Sequence, residues 1–472
     1  MERLEDRTNI ISTHETNSEQ ELSMDDEEEE MIFIEKVAHS YKDKYDVRYT
    51  DITEIKAPIG LLYLAGVHKG GRTTIYELWA TNGTGLEIFP AVMAKRRFRF
   101  LIRWLHFDDV DTREERKKTD NLEPIRELFE EVNGKFRNHY SPGEYVTIDE
   151  MLLAFRGRCA CRMYIPNKPA RYGIKIFSLV DARMYYTFNM EVYTGTQPAG
   201  PYKVSNKSLD VVVRMTEPIH DSKRNITMDN WFTSIPLAQL LLTDHKLTLL
   251  GTLRKNKVEI PPEFLTVRKP AKTSMFAFTK DMTLVSYKPK KNKSVVFLST
   301  MHHDDKIDES TGDENKPEMI TLYNVTREGV DCVDQMVASY DVSRNTRRWP
   351  MTIFYSLLNV SAINSFIIYR TNNKDMGITI TGRRKYLKQL GLSLVTEQLK
   401  RRTIDKHISR DVRLKAAKFS GQSLVEQADP LQGTYRRCVF CRNRKTRFFC
   451  HIYKKMICME HSKHTCPDCA QN

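Results

Sequence analysis

The chain has 472 residues, 40% of them hydrophobic, which suits two to four domains with buried cores. Its net charge of +13 is uneven: residues 1–30 hold twelve acids and two arginines, so the remainder carries about +23. That surplus favours a nucleic acid over a membrane surface, and no apolar run approaches the roughly 20 residues of a spanning helix.

The opening Met1-Glu2-Arg3-Leu4-Glu5 is too polar for a secretory signal, and residues 1–30 read as an acidic disordered tail. Residues 31–143 follow a helical pattern. Ile32, Phe33, Val37 and Tyr41 share one face, as do Phe98, Phe100, Leu101, Trp104 and Leu105, with a basic face at Lys95, Arg96, Arg97, Arg99 and Arg103. The run 144–149 is β-branched and aromatic, reads as a strand, and ends on Asp149. Behind it lie Arg156, Arg158, Arg162, Lys168, Arg171 and Lys175, interleaved with Phe155, Tyr164 and Tyr172, a composition suited to a phosphate backbone.

Strands are expected at 174–180 and 184–193, a helix at 208–216, and a strand at 225–228 ending on Asp229. A short helix at 236–242 and a strand at 247–254 complete an α/β order in which the first and fourth strands lie side by side, as in RNase H-like folds. The two acids, 80 positions apart, would then meet. Residues 255–315, with Pro261-Pro262 and a lysine run, read as an insertion. A strand at 320–323 and a helix beginning at Gly329 return to the core (316–340). Asp331 and Asp334 stand at i and i+3 and so project from one helical face. Helical patterns then run through Ile353, Leu357 and Ile367, and along a basic stretch at 383–416, within 341–420. A polar linker (421–433) precedes a cysteine-rich terminus (434–472).

Three groups carry chemistry. Asp149, Asp229 and Asp331, from two strands and a helix, would supply the carboxylate oxygens that two Mg²⁺ ions need, about 3.5–4 Å apart. The spacing Cys438-x2-Cys441-x8-Cys450-x7-Cys458-x2-His461-x4-Cys466-x2-Cys469 has paired ligands two residues apart, the clamp for tetrahedral Zn²⁺. A cross-brace completes one zinc with Cys438, Cys441, Cys458 and His461. The second has Cys450, Cys466 and Cys469, with His451 or His464 as the fourth ligand. Six of the nine cysteines lie here, which indicates metal in a reducing compartment rather than disulfides. Arg344, Arg347, Arg348 and Trp349 form the third group, in which guanidinium groups hold phosphates and the indole stacks on a base or packs the next helix.

The words TIDE-LL-FRGR, R-YIPNKP-RYGIK, DNWFTSIPLA, GVD-VDQM and R-T-RWPM, in order between about Phe98 and Ile368, resemble the piggyBac family of DNA transposases. The resemblance implies a DDE/D-type enzyme with Asp149, Asp229 and Asp331 as its triad and Asp334 as an additional acid. It also implies a split helical dimerisation and DNA-binding domain around an RNase H-like core with an insertion. DNA contacts would include Arg254 and the Arg344–Trp349 loop. Cut-and-paste chemistry through a freed 3′-hydroxyl and a hairpin, joining at TTAA, a homodimer on double-stranded DNA, and a nuclear location are implied too. The family pattern has a cysteine where this chain has Tyr453, so one or two zinc ions are expected. Family members usually carry a longer region before the first acid than the roughly 140 residues here. A domesticated DNA-binding descendant without transposition is the rival reading.

Overall fold

The computed structural model describes residues 49–462, apart from 167, 266–269, 377–378, 380, 423–434, 442 and 451–454. The acidic segment, the Ile32–Tyr41 face, nearly all of the linker, and His451, Tyr453, His464, Cys466 and Cys469 lie outside the described residues.

The first helices are α1 (Ile52–Val67), α2 (Ile75–Leu78), α3 (Ile88–Val92), α4 (Lys95–Trp104), α5 (Arg113–Arg116) and α6 (Arg126–Asn138). Asp51 starts α1 by accepting the Glu54 N–H at 2.9 Å, an N-cap that satisfies one orphan donor. In α4 the 3.6-residue period buries Phe98 and Leu101 and leaves Arg96, Arg99 and Arg103 exposed.

The central sheet follows: β1 (Tyr145–Ala154), β2 (Arg162–Tyr164), β3 (Tyr172–Asp181), β4 (Thr187–Val192), helix α7 (Ser208–Thr216), β5 (Asn225–Met228), helix α8 (Ile235–Thr243) and β6 (Thr248–Leu253). Beyond the short α9 (Pro262–Leu265) come β7 (Thr273–Phe278), β8 (Thr283–Lys290) and β9 (Lys293–Ser299). All nine strands form one sheet, ordered β2-β3-β1-β5-β6-β9-β8-β7, with β4 also on β3. β1, β5 and β6 run parallel, and β1–β3, β3–β4 and β6–β9 are antiparallel.

Several expectations need correction here. β1 does not end at Asp149 but continues to Ala154, because β3 still pairs with it as far as Gly173. The span 255–315, read as an insertion, adds three strands to the sheet. Its alternating β-branched stretches turn at Asn292, in the left-handed region at φ 68°, and β9 pairs with the edge of β6. The run 320–323 is not a strand but lies in helix α10 (Glu318–Thr326). Met319, Ile320 and Tyr323 recur at helical spacing and fill a small core against Val285, Tyr287 and Phe297 of the added strands; four apolar residues were too few to tell the periods apart.

Four further helices are α11 (Gly329–Ser339), α12 (Trp349–Asp375), α13 (Arg383–Ile404) and α14 (Arg410–Ser420). The stretch 383–416 is thus two helices, broken where the Asp405 carboxylate accepts the His407 N–H at 2.9 Å. Contrary to the reading of the apolar runs, Trp349–Lys374 is long and apolar enough to cross a membrane, with a mean hydropathy of 1.5. Two-thirds of that window is buried inside the protein. Asn364 on α12 also exchanges two hydrogen bonds with the Thr187 backbone, at 3.0 and 2.8 Å, which suits a core helix.

The helical segments before and after the sheet pack on each other. α1 crosses α13 at two glycines, where a Cβ on Gly60 would meet the Gly391 carbonyl at 2.7 Å. Close backbone approach is what glycine permits. A small two-stranded sheet, β10 (Arg436–Arg437) with β11 (Lys445–Thr446), begins the cysteine-rich terminus.

Candidate active site and nucleic-acid interface

The parallel ladder between β1 and β5 ends on the pair Ile148–Met228. Asp149 and Asp229 are the next residue on each chain, so their backbones stand side by side, one strand spacing of about 4.8 Å apart. One step earlier on the same face stand Thr147 and Thr227. Thr147 Oγ1 donates to the Thr326 carbonyl at 2.5 Å, and Thr227 Oγ1 meets Thr326 Oγ1 at 2.7 Å. These bonds pin the end of α10 to both strands. The chain then starts α11 directly on β1, where a Cβ on Gly329 would lie 2.8 Å from Thr147 Oγ1. In this way Asp331 and Asp334, in the first two turns of α11, reach the side of the sheet that carries Asp149.

Burial dominates the electrostatics. It pushes the Asp149 carboxyl up to about 7, with the charges of Glu150 and Asp229 adding to the effect and Lys168 opposing it. Burial raises Asp229 as well, against the Trp231 N–H that donates to its Oδ1 at 2.8 Å. Asp334 is pushed up to about 6 by burial, then by the charge of Asp331, again opposed by Lys168. Lys168 donates to the Glu150 carbonyl at 2.9 Å, so one ammonium influences acids from two elements. Acids this short of positive charge, and made only of hard oxygen donors, fit a divalent cation.

The turn after Asp229 is tightly fixed. Thr233 Oγ1 donates to the Asp229 carbonyl at 2.8 Å, and a Cβ on Gly251 would lie 2.2 Å from that hydroxyl. Gly251→Ala is therefore expected to overpack the site, costing about 1–3 kcal/mol, and to lower strand cleavage more than DNA affinity. Thermal melting and cleavage rates check this, and unchanged values for both would show that the turn yields freely.

The basic residues divide by environment. Arg156, Arg158, Arg162, Arg171, Arg254 and Arg347 are exposed and free to meet phosphate. Arg162 also orders its own loop through the Arg156 and Gly157 carbonyls at 3.1 and 2.9 Å, and Arg254 reaches Asn230 Oδ1 at 3.2 Å. Lys175 does not belong with them. It is 8% exposed and faces aromatic rings, so it offers DNA no surface. Arg344 and Arg348 are tied to backbone carbonyls of the N-terminal helical segment, including Gly70 at 2.5 Å and Arg103 at 2.7 Å. Trp349 is half-buried as the first residue of α12 and packs against the core rather than standing free for a base.

The loop held by Arg344 and Arg348 closes one side of a groove of about 670 Å³. Lys95, Arg96, Arg99 and Arg103 of α4 line the other side with Phe100 and Trp104, and among the described residues no acid lines it. Arg97, by contrast, turns away to Glu54, with contacts of 3.0 and 2.7 Å.

In the cysteine-rich terminus Cys438, Cys441, Cys458 and His461 bring their ligand atoms within 4.8 Å of one another. Cys441 and Cys458 Sγ are 3.8 Å apart, the edge of a tetrahedron with zinc–sulfur bonds of about 2.3 Å. His461 Nδ1 lies 3.1 Å from Cys458 Sγ and 3.9 Å from Cys438 Sγ. This donor set suits Zn²⁺. Cys450 stands outside it.

Glu150 and the two threonines were not singled out in the sequence. The repeated T-x-D at 147–149 and 227–229 is the signal that could have marked the threonines.

A family model described as Transposase IS4 matches residues 14–366. The human PiggyBac transposable element-derived protein 3 is 22% identical over 367 residues, covering 74% of this chain and 60% of that protein. The human Chimeric ERCC6-PGBD3 protein shows the same identity over 34% of its length. The chain thus spans less than two-thirds of either relative. Among solved structures, a piggyBac transposase synaptic complex with hairpin DNA superposes with a TM-score of 0.83 at 37% identity, covering 93% of this chain and 94% of that one.

Proposed function

Since this chain belongs to the Transposase IS4 family, in its piggyBac-type group, we propose that it cuts DNA at transposon ends and joins those ends to a TTAA target, by a cut-and-paste route. The observation that carries the reading is the pair Asp149 and Asp229 at the end of the β1–β5 ladder, with α11 starting against the same face where Gly329 meets Thr147. We read this part of the sheet as RNase H-like and the acids as a DDE/D-type centre.

Asp149, Asp229 and Asp331 would hold divalent cations, Mg²⁺ in our reading, with Asp334 beside them. Bound there, such ions lower the pKa of water and neutralise charge on a phosphodiester. The chain's own residues do the rest. The two threonine bonds fix the acids against each other, and Lys168 balances charge between the strands and α11. Exposed arginines on the β1–β3 connection hold the backbone next to the cut, while the α4 groove holds a second stretch of duplex. Hydrolysis frees a 3′-hydroxyl, whose attack on the opposite strand gives a hairpin end. That step is supported by the similar piggyBac transposase structure, a synaptic complex with hairpin DNA. Two ends must be handled together, so we expect a homodimer, with the zinc module reading the end sequence and the reaction taking place in the nucleus.

The test is incubation of the full chain with Mg²⁺ and duplex carrying the element's ends flanked by TTAA. A 3′-hydroxyl nick at each end followed by a hairpin is expected. Tight binding of the ends with no cut would instead favour the domesticated reading.

A further inference from the structure

Lys175 belongs to a segment rich in arginine and lysine, yet the fold turns it inward. Asp149 pairs with Ser178 and Leu152 with Lys175 across β1 and β3, so alternation puts Lys175 on the face opposite Asp149. There its ammonium lies 4.4 Å from the Trp231 ring centroid, 4.5 Å from that of Phe177 and 5.7 Å from that of Tyr193. Phe177 stacks on Trp231 at 5.6 Å and 17°, so the cage is closed by ring-on-ring contact. A desolvated cation among aromatic faces is held by their quadrupoles, and more firmly than it would be in water. The charges around it are Glu150 and Asp149 from β1, Asp229 from the end of β5, and Lys168 from the loop before β3.

Trp231 is not a bystander, because its backbone N–H donates to Asp229 Oδ1 at 2.8 Å. The ring and the hydrogen bond belong to one residue, so fixing the ring fixes the donor. We propose that Lys175 is a positioning residue, whose caged ammonium clamps the Trp231 ring from beneath the sheet and thereby holds the Asp229 turn in place. It acts through Trp231, not through DNA. The inference rests on the role proposed above for Asp229.

Lys175→Met tests it, since methionine keeps an unbranched stem in the cage and removes only the charge. At saturating Mg²⁺, kcat for end cleavage should fall about tenfold to a hundredfold, the scale of a displaced reacting group, with KM for DNA within about twofold. Lys175→Arg should restore most of the loss. A second readout needs no metal. The chain has four tryptophans, and fluorine NMR of 5-fluorotryptophan-labelled protein in chelator assigns Trp231 by the resonance lost in Trp231→Phe. That resonance should shift and broaden in Lys175→Met and return in Lys175→Arg. An unchanged Trp231 resonance overturns the proposal whatever the rate does. A raised KM with normal kcat overturns it too, in favour of a phosphate contact. Asp229→Ala separates the two levels: if that variant cleaves normally the active-site reading fails, and if it is dead while Lys175→Met is normal only the clamp fails.

Discussion

Asp229→Ala should abolish strand cleavage, by at least about a thousandfold, while DNA affinity stays within about twofold. Removing one carboxylate empties a position for metal but leaves the arginines on the β1–β3 connection and in the α4 groove, so chemistry and binding separate. Asp149→Ala and Asp331→Ala should behave alike, with Asp334→Ala milder. Rates and affinities measured on one end duplex decide it, and full activity in Asp229→Ala would contradict the assignment.

The same acids predict a stability signature without metal. Burial raises the folded-state carboxyl of Asp149 from its ordinary 3.8 to about 7, so the folded chain holds a proton that the unfolded chain releases between those values. Metal-free stability should therefore fall as pH rises from about 4 to 7 and level off above that. At pH 8 metal-free Asp149→Ala should melt above the parent, by on the order of 1–4 kcal/mol, and the gap should close near pH 4. A variant that melts lower at pH 8 would show that the carboxylate is already well compensated.

Zinc removal should have the second large effect. Among the described residues from Tyr435 to Ser462 there are only two-residue strands and a short 3₁₀ turn around Cys438, Cys441, Cys458 and His461, too little core to stand alone. Structural zinc in such modules supplies roughly 10–16 kcal/mol of folding free energy. Chelation should unfold this terminus and remove sequence-specific end binding, while the exposed arginines of the β1–β3 connection and the basic groove go on binding DNA nonspecifically. Metal analysis should find at least one zinc per chain, and Cys438→Ser should reproduce the chelated state. A zinc-free native protein would refute the centre. Unchanged end binding after the module is deleted would give it a protein-binding role.

How much of this was legible depended on local chemistry. Asn225–Met228 and Ser208–Thr216 were read to the residue, because each is a short run of one period flanked by turn-forming or polar residues. The pairing of β1 with β5, which brings Asp149 and Asp229 together, followed from the order of elements rather than from any single one. Strand ends and added strands were less visible. β1 runs past Asp149 because a partner lies beside it, and β7 to β9 join the sheet through an edge that only the fold reveals. Charge alone also misjudged Lys175, since nothing local tells an outward lysine from one caged by a tryptophan 56 positions away. Arg344 and Arg348 were marked for DNA by type, whereas their planar guanidiniums meet distant carbonyls of the helical segment.

Acids from β1, β5 and α11 are proposed to hold one shared metal centre. Fe²⁺ in place of Mg²⁺, with ascorbate and peroxide, releases hydroxyl radicals at the bound ion and cuts the backbone beside it. Cuts are predicted next to Asp149, Asp229 and the Asp331–Asp334 turn together, and all of them should vanish in Asp229→Ala. Cuts confined to the cysteine-rich terminus, or cuts near these acids that persist without Asp229, would contradict it.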